Sequence, residues 1–258
     1  MKFLRFEYDN KIKNGYYDGE KVVELKKDIL TYFKKNLEDI TKDFQKSYSI
    51  DEINIIKPVE PSKIICIGLN YKDHAEEMNL ELPESPVIFI KPSNTVIGYG
   101  DKIIYPDNST RVDYEGELAV VIGEKTSKVT KEEAKEKIFG YTIMNDVTAR
   151  DFTYSDGQWT RGKSCDTFAP LGPVIETEMN PMNQNIKLTI NDEIKQDSNT
   201  KNMIFSPYDL IEYISQNITL YPGDIISTGT PPGVGPMEKE SNIKISIDDI
   251  GTLINKLI

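Results

Sequence analysis

Two glutamates separated by a single glycine open an apolar run, Asp113-Tyr114-Glu115-Gly116-Glu117-Leu118-Ala119-Val120-Val121-Ile122-Gly123, and a third acid, Asp146, closes Tyr141-Thr142-Ile143-Met144-Asn145-Asp146. Residues i and i+2 of a strand share a face, so Glu115 and Glu117 point together from the start of a strand that runs into the core. Gly116 leaves the opposite face free. Two carboxylates about 5 Å apart repel by roughly 3 kcal/mol at an effective dielectric near 20, so such a cluster stays ionised only beside a cation. The competing reading is an acidic face in solvent. The acids sit against Val/Ile strands rather than in a charged loop, and this favours a divalent metal held by Glu115, Glu117 and Asp146.

Composition selects the ion. One histidine, His74, and two cysteines, Cys66 and Cys165, cannot enclose zinc or an iron–sulfur cluster. Oxygen ligands with positions left open suit Mg²⁺ or Mn²⁺, and no EF-hand spacing favours calcium. A length of 258 residues with 38% apolar content supports one large domain, or a main domain with a small one attached. No stretch has signal-peptide or membrane-spanning character, and two thiols without paired spacing fit a reducing compartment. A cytoplasmic protein is expected. The net charge of −11 argues against nucleic acid or an anionic membrane as partner. If the substrate is itself an acid, its site must supply local positive charge from the metal and a few basic residues.

The chain divides into two regions. Residues 1–57 carry short charged strand-like pieces, Lys2 to Tyr8 and Tyr16 to Leu25, then a lysine- and glutamate-rich amphipathic stretch from Asp28 to about Tyr48. This predicts a small N-terminal accessory domain. From residue 58 to 258 the pattern turns to apolar strands punctuated by Gly, Pro and Asn: Lys63 to Gly68, Pro86 to Ile90, Leu118 to Ile122, Tyr141 to Met144, Ile186 to Ile190, Asp224 to Ser227 and Ile243 to Ile247. Helical pattern is confined chiefly to Lys131–Ile138 and Pro207–Ser215, and Asn191-Asp192 reads as a hairpin turn. The class is therefore α+β and β-rich. There is no internal repeat.

Three further segments carry chemistry. In Gly68-Leu69-Asn70-Tyr71-Lys72-Asp73-His74-Ala75-Glu76-Glu77, Asp73 is placed to cap a helical turn and Glu77 falls beside His74 on one helix face. A carboxylate beside an imidazole fixes its tautomer and raises its basicity, as a general base requires, although a surface pair has the same spacing. In Arg161-Gly162-Lys163-Ser164-Cys165-Asp166, Lys163 can balance the metal-site carboxylates or hold an anionic substrate, with Arg161 as surface decoration. Ser227-Thr228-Gly229-Thr230-Pro231-Pro232-Gly233 comes directly after a strand. It is no phosphate loop, because no Gly-Lys-Ser/Thr is present and two prolines remove amides, so by itself it reads as a tight turn.

In this order the segments resemble the fumarylacetoacetate hydrolase family, in its acylpyruvase and 2-hydroxyhepta-2,4-diene-1,7-dioate isomerase-like branch. The likeness spans about residues 58–256 and rests on residues 68–77, Phe-Ile-Lys-Pro-Ser (89–93), 113–123, Asn-Asp-Val-Thr-Ala-Arg-Asp (145–151), 163–173, Pro-Gly-Asp (222–224) and 228–235. The resemblance implies a mixed β-roll catalytic domain, usually in a homodimer, with Mg²⁺ or Mn²⁺ on the positions matched by Glu115, Glu117 and Asp146. It further implies that small 2-oxo acids are the substrates, that Lys163 lies next to the metal, and that Thr230 and its loop, including Gly229, hold the substrate carboxylate. Lys91 would line the same pocket, and His74 with Glu77 would form a catalytic dyad on a segment that closes over the ligand. One departure is Thr153, where acylpyruvate-cleaving members of eukaryotic type carry glutamine. Family reactions include C–C hydrolysis of acylpyruvates or fumarylacetoacetate, decarboxylation of oxaloacetate, isomerisation or tautomerisation, and dehydration of sugar-derived acids. A dyad that activates water selects hydrolysis, with decarboxylation or tautomerisation of an oxo-diacid as the alternative. A non-catalytic, metal-stabilised binding protein is the reading from a different class.

Overall fold

The computed structural model describes residues 1–258. Its architecture is built around the strand Gly116–Ile122, every residue of which is buried. Leu118, Val120 and Ile122 enter one hydrophobic core, while Ala119 and Val121 enter a second on the other face. A strand apolar on both sides belongs inside a sheet that is covered on both sides. Accordingly, it pairs antiparallel with Ile138–Asn145 on one flank and with Ile225–Ser227 on the other.

The sheet grows outward from this centre. Beyond Ile138–Asn145 lies Ala169–Glu176, then the N-terminal meander Lys2–Tyr8, Lys11–Tyr17, Val22–Leu25 and Phe44–Tyr48. In the other direction Ile64–Gly68 runs parallel to Ile225–Ser227, and Val87–Lys91 forms the edge. A five-stranded sheet, ordered Glu193–Asn199, Asn185–Ile190, Asn242–Ile247, Gly251–Leu257, Lys102–Ile103, supplies Ile186, Leu188, Ile243, Ile245 and Leu253 to the larger core. Gly116 sits under this second layer. A Cβ there would come within 3.2–3.3 Å of Gln196, Ile245 and Leu188, so the residue between the two glutamates must be small.

This is the strand-rich α+β fold expected, with differences in detail. The expected piece Tyr16 to Leu25 is two strands, Lys11–Tyr17 and Val22–Leu25, separated by a turn in which the Asp18 carboxylate accepts the Glu20 and Lys21 amides. Asp28 to Tyr48 resolves into two short helical turns, Ile29–Tyr32 and Leu37–Thr41, and the strand Phe44–Tyr48. The helix at Lys131 ends at Ala134, a 3-10 turn comes next, and Ile138 already begins a strand. Pro207–Ser215 is helical as expected, closed at its start by a capping box of Ser206 and Asp209. Asn191 and Asp192, at φ +49° and +67°, make the hairpin turn into Glu193–Asn199. No helix is long and apolar enough to cross a membrane.

Candidate active site

Glu115 occupies the one-residue interval between the strands Val112–Tyr114 and Gly116–Ile122. Its amide donates to Asn145 Oδ1 at 2.9 Å, and the Asp146 amide donates back to the Glu115 carbonyl at 2.8 Å. This clamp brings the ends of neighbouring strands together. As a result, ligand oxygens of Glu115, Glu117 and Asp146 all lie within 4.8 Å of one another, and all three residues are buried.

Cations surround the cluster. Lys163 Nζ donates to Glu115 Oε2 at 2.8 Å and to Asp146 Oδ2 at 2.7 Å. Lys91 Nζ donates to Asp146 Oδ1 at 2.6 Å and to the Val147 carbonyl at 2.9 Å. Burial works against the Lys163 ammonium, yet Asp146 and Glu115 outweigh it and hold its pKa above the usual lysine value. Burial likewise opposes ionisation of Asp146, but Lys163 and Lys91 keep its carboxyl below the ordinary range. Glu117 differs. Burial first, then Asp146 and Glu115, drives its pKa well up, although Ser227 Oγ and the Gly229 amide donate to its Oε2 at 2.5 and 2.9 Å. Three hard oxygen donors in which one carboxylate lacks a cation of its own fit a divalent ion such as Mg²⁺ or Mn²⁺.

His74 and Glu77 lie on the helix Lys72–Glu77, with His74 Nδ1 2.8 Å from Glu77 Oε2. The Gly233 amide donates to both Glu77 oxygens at 3.0 and 3.2 Å, tying the dyad to the loop after Ser227. Tyr114 steadies the same loop by donating to the Gly233 carbonyl at 2.9 Å, and burial pushes its phenol up to about 12, so it remains a neutral donor. The dyad, Glu115, Glu117, Lys163 and Thr230 all line one cavity of about 360 Å³, whose apolar walls include Phe89 and Trp159. Phe89 meets Trp159 edge-on at 5.2 Å, and Lys163 Nζ lies 5.0 Å from the Phe89 ring centre.

Other expectations move. Asp73 is not the helix cap: Tyr71 holds that position, and the Asp73 carboxylate instead receives Ser198 Oγ at 2.6 Å and Asn202 Nδ2 at 2.9 Å. Lys91 is fully buried behind Asp146 rather than lining the cavity. Gly229 directs its amide at Glu117, so its contact is with the acid cluster. The Thr230 hydroxyl donates to the Gly116 carbonyl at 3.0 Å and accepts from Gln196 Nε2 at 2.8 Å. Arg161 does not move: it is a surface residue, as expected, paired with Asp156.

Sequence reading passed over a second ionic group. Arg150 bridges Asp113, through Nε at 2.9 Å, and Glu115, through Nη2 at 2.5 Å. Arg111 grips Asp113 with Nε at 2.8 Å and Nη2 at 3.1 Å. The signal was available, since Arg111 and Asp113 continue the i, i+2 series of Glu115 and Glu117. Asn70 was missed as well. Its side chain donates to the Phe205 and Thr228 carbonyls and accepts the Phe205 amide, pinning three loops beneath the site.

The family profile for the fumarylacetoacetate (FAA) hydrolase C-terminal domain matches residues 63–258. The rat mitochondrial oxaloacetate tautomerase Fahd2a is 43% identical over 219 residues, which cover 80% of this chain and 70% of that protein. The crystal structure of 5-carboxymethyl-2-hydroxymuconate delta-isomerase from Mycobacterium smegmatis superposes with a TM-score of 0.90 at 36% identity, covering 100% of this chain and 99% of that one. Maleylpyruvate hydrolase from Sphingobium sp. SYK-6, solved with manganese(II) and pyruvate, superposes with a TM-score of 0.84 at 27% identity and the same coverage.

Proposed function

The chain belongs to the fumarylacetoacetate hydrolase family, and from that premise we propose that it is a Mg²⁺- or Mn²⁺-dependent enzyme that hydrolyses a C–C bond in a small, enolisable 2-oxo acid of acylpyruvate type. The observation that carries this reading is the His74–Glu77 pair at 2.8 Å in the same cavity as Glu115 and Glu117 of the acid cluster. A divalent ion held by Glu115, Glu117 and Asp146 would supply Lewis-acid polarisation of the 2-oxo group. The chain's own residues do the rest. With its Nδ1 proton directed at Glu77, His74 presents Nε2 as the base that takes a proton from water, and the Glu77 charge supports the imidazolium that forms. Lys163 holds Glu115 and Asp146 in place and adds positive charge where an anionic head group sits. Closure of the segment after the dyad would bury Met78 and Leu80, now 54% and 51% exposed, and exclude bulk water.

A second reading has support from the relatives. An oxaloacetate tautomerase and a muconate isomerase, at 43% and 36% identity, bear names that describe proton relocation. His74 could perform that transfer without any attacking water, and decarboxylation of an oxo-diacid would need it least. A panel of acylpyruvates, fumarylpyruvate, oxaloacetate and muconate-type diacids, each with Mg²⁺ or Mn²⁺ and with products identified by NMR, decides. Release of pyruvate together with a carboxylic acid supports hydrolysis. A changed keto–enol or double-bond distribution alone supports the second reading, and binding without turnover would leave a metal-stabilised binding protein. We further propose a homodimer, supported by the open edge at Val87–Lys91, where Val87 and Ile90 are 50% and 46% exposed.

A further inference from the structure

Arg111 has capacity that the fold does not use. A guanidinium carries five N–H groups, and the Arg111 fork on Asp113 engages one on Nε and one on Nη2. Three remain, two of them on Nη1, and the side chain is 45% exposed at the wall of the cavity. The other cavity cations are differently placed. Lys163 is 5% exposed and shared between two carboxylates, and Arg150 is 19% exposed and bridges Asp113 to Glu115.

Charge points the same way. Asp113 is fully buried and answers two guanidiniums, so its end of the cavity has an excess of positive charge. Arg111 lines the same cavity as Glu117 and Lys163, so a diacid whose 2-oxo head lies at the acids can turn its other end to the guanidinium.

We propose that Arg111 is a specificity-determining residue that receives the distal carboxylate of a 2-oxo diacid through its free Nη1/Nη2 edge, with Asp113 holding the fork in position. The inference rests on the 2-oxo acid reading above. Its test is titration calorimetry of the Mg²⁺- or Mn²⁺-loaded protein with pyruvate, 2-oxohexanoate and 2-oxoadipate, the last two being of equal length and differing in the terminal carboxylate. Wild type should bind 2-oxoadipate more tightly than 2-oxohexanoate by about tenfold to a hundredfold, the range of a charge-assisted hydrogen-bonded contact. Arg111→Gln should bring that ratio close to one without changing pyruvate affinity, and Arg111→Lys should restore part of it, since charge returns without the fork. Absence of a diacid preference in wild type overturns the proposal, as does an equal loss for both six-carbon acids in Arg111→Gln, which would make the residue merely structural. Should Arg111→Gln fail to fold, the wild-type ratio and the Arg111→Lys variant decide alone. Binding of pyruvate with no diacid preference removes only the role of Arg111, whereas failure of all three acids to bind removes the 2-oxo acid reading together with it.

Discussion

At the scale of single residues the dyad and the uncompensated glutamate make opposite demands on protons. General-base catalysis is worth about 10²–10⁴-fold, so His74→Ala is expected to lower acylpyruvate hydrolysis by that factor while calorimetric Mn²⁺ affinity stays unchanged. Glu77→Gln keeps a hydrogen-bonding side chain but removes the charge, and its loss should be intermediate. Equal losses on oxaloacetate tautomerisation would place His74 at a proton transfer common to both reactions. Glu117 gives the pH dependence. Its folded pKa is raised, by burial and then by Asp146 and Glu115, so the metal-free fold gains from its proton below the unfolded value near 4.3, and loses that gain as pH rises through the folded value. Asp146 is depressed and works in the opposite direction, losing its contribution only as pH falls below the ordinary carboxylate range. A divalent ion held here would displace the Glu117 proton, so the rise in Tm caused by Mn²⁺ should grow as the pH is raised from about 5 to about 8. A Tm increment that is flat or reversed across that interval would contradict this placement of the charge. The acids were legible because their spacing and their apolar setting are local facts. The partners of Lys91 were not, because the contact of its ammonium with Asp146 joins residues 55 apart in sequence.

Among elements, the link between the strand Ile225–Ser227 and the loop after it has the narrowest tolerance. Gly229 has φ +95°, and a Cβ there would come within 2.8 Å of Asn70 Cβ, whose side chain is itself held by three hydrogen bonds. Gly229→Ala must strain the backbone by about 1–3 kcal/mol or shift the loop, and a shift withdraws the amide from Glu117. Urea unfolding should show the loss of stability, and Mn²⁺ titration should show an affinity about 10–100-fold weaker, the usual cost of removing a group that orients a metal ligand. Normal metal affinity in this variant would mean that the amide is dispensable. Strand positions such as Ile64–Gly68 and Asn242–Ile247 were readable from apolar runs bounded by turn residues. Ala169–Glu176 and Gly251–Leu257 escaped for different reasons. The first contains two prolines and a glycine that mimic a loop, and the second mixes Asn and Lys into a strand half turned to solvent. The helix Arg150–Asp156, which delivers Arg150 to Asp113, lacks apolar periodicity strong enough to declare itself.

For the molecule as a whole, two surfaces decide whether the chain works alone and as one unit. The edge strand Val87–Lys91 leaves backbone groups and the apolar Val87 and Ile90 uncovered beside Trp159, itself 41% exposed. Charge placed there by Val87→Lys with Ile90→Glu should convert a dimer to a monomer in sedimentation, and a wild-type monomer would remove the proposed assembly. The other surface is internal. Residues 1–57 read in sequence as an accessory piece because their charge density differs from that of residues 58–258, but composition cannot report which strand they lie against. The pairing of Phe3 with Ile175 continues the large sheet into that region, and the terminal amine meets Glu176 at 2.6 Å. Phe3 is 1% exposed, lies 5.5 Å from the Phe139 ring and 6.1 Å from Tyr32, and shares the smaller core with Ala119 and Val121 of the strand that carries Glu117. A core shared in this way couples the N-terminal meander to the centre of the sheet. Phe3→Ala should therefore cost about 3–5 kcal/mol, and denaturant unfolding should remain a single transition with fluorescence and far-UV circular dichroism coincident. If instead an early transition appeared that left the Mn²⁺-binding signal intact, residues 1–57 would be a separately folding unit, and the shared core would contribute less than its contacts imply.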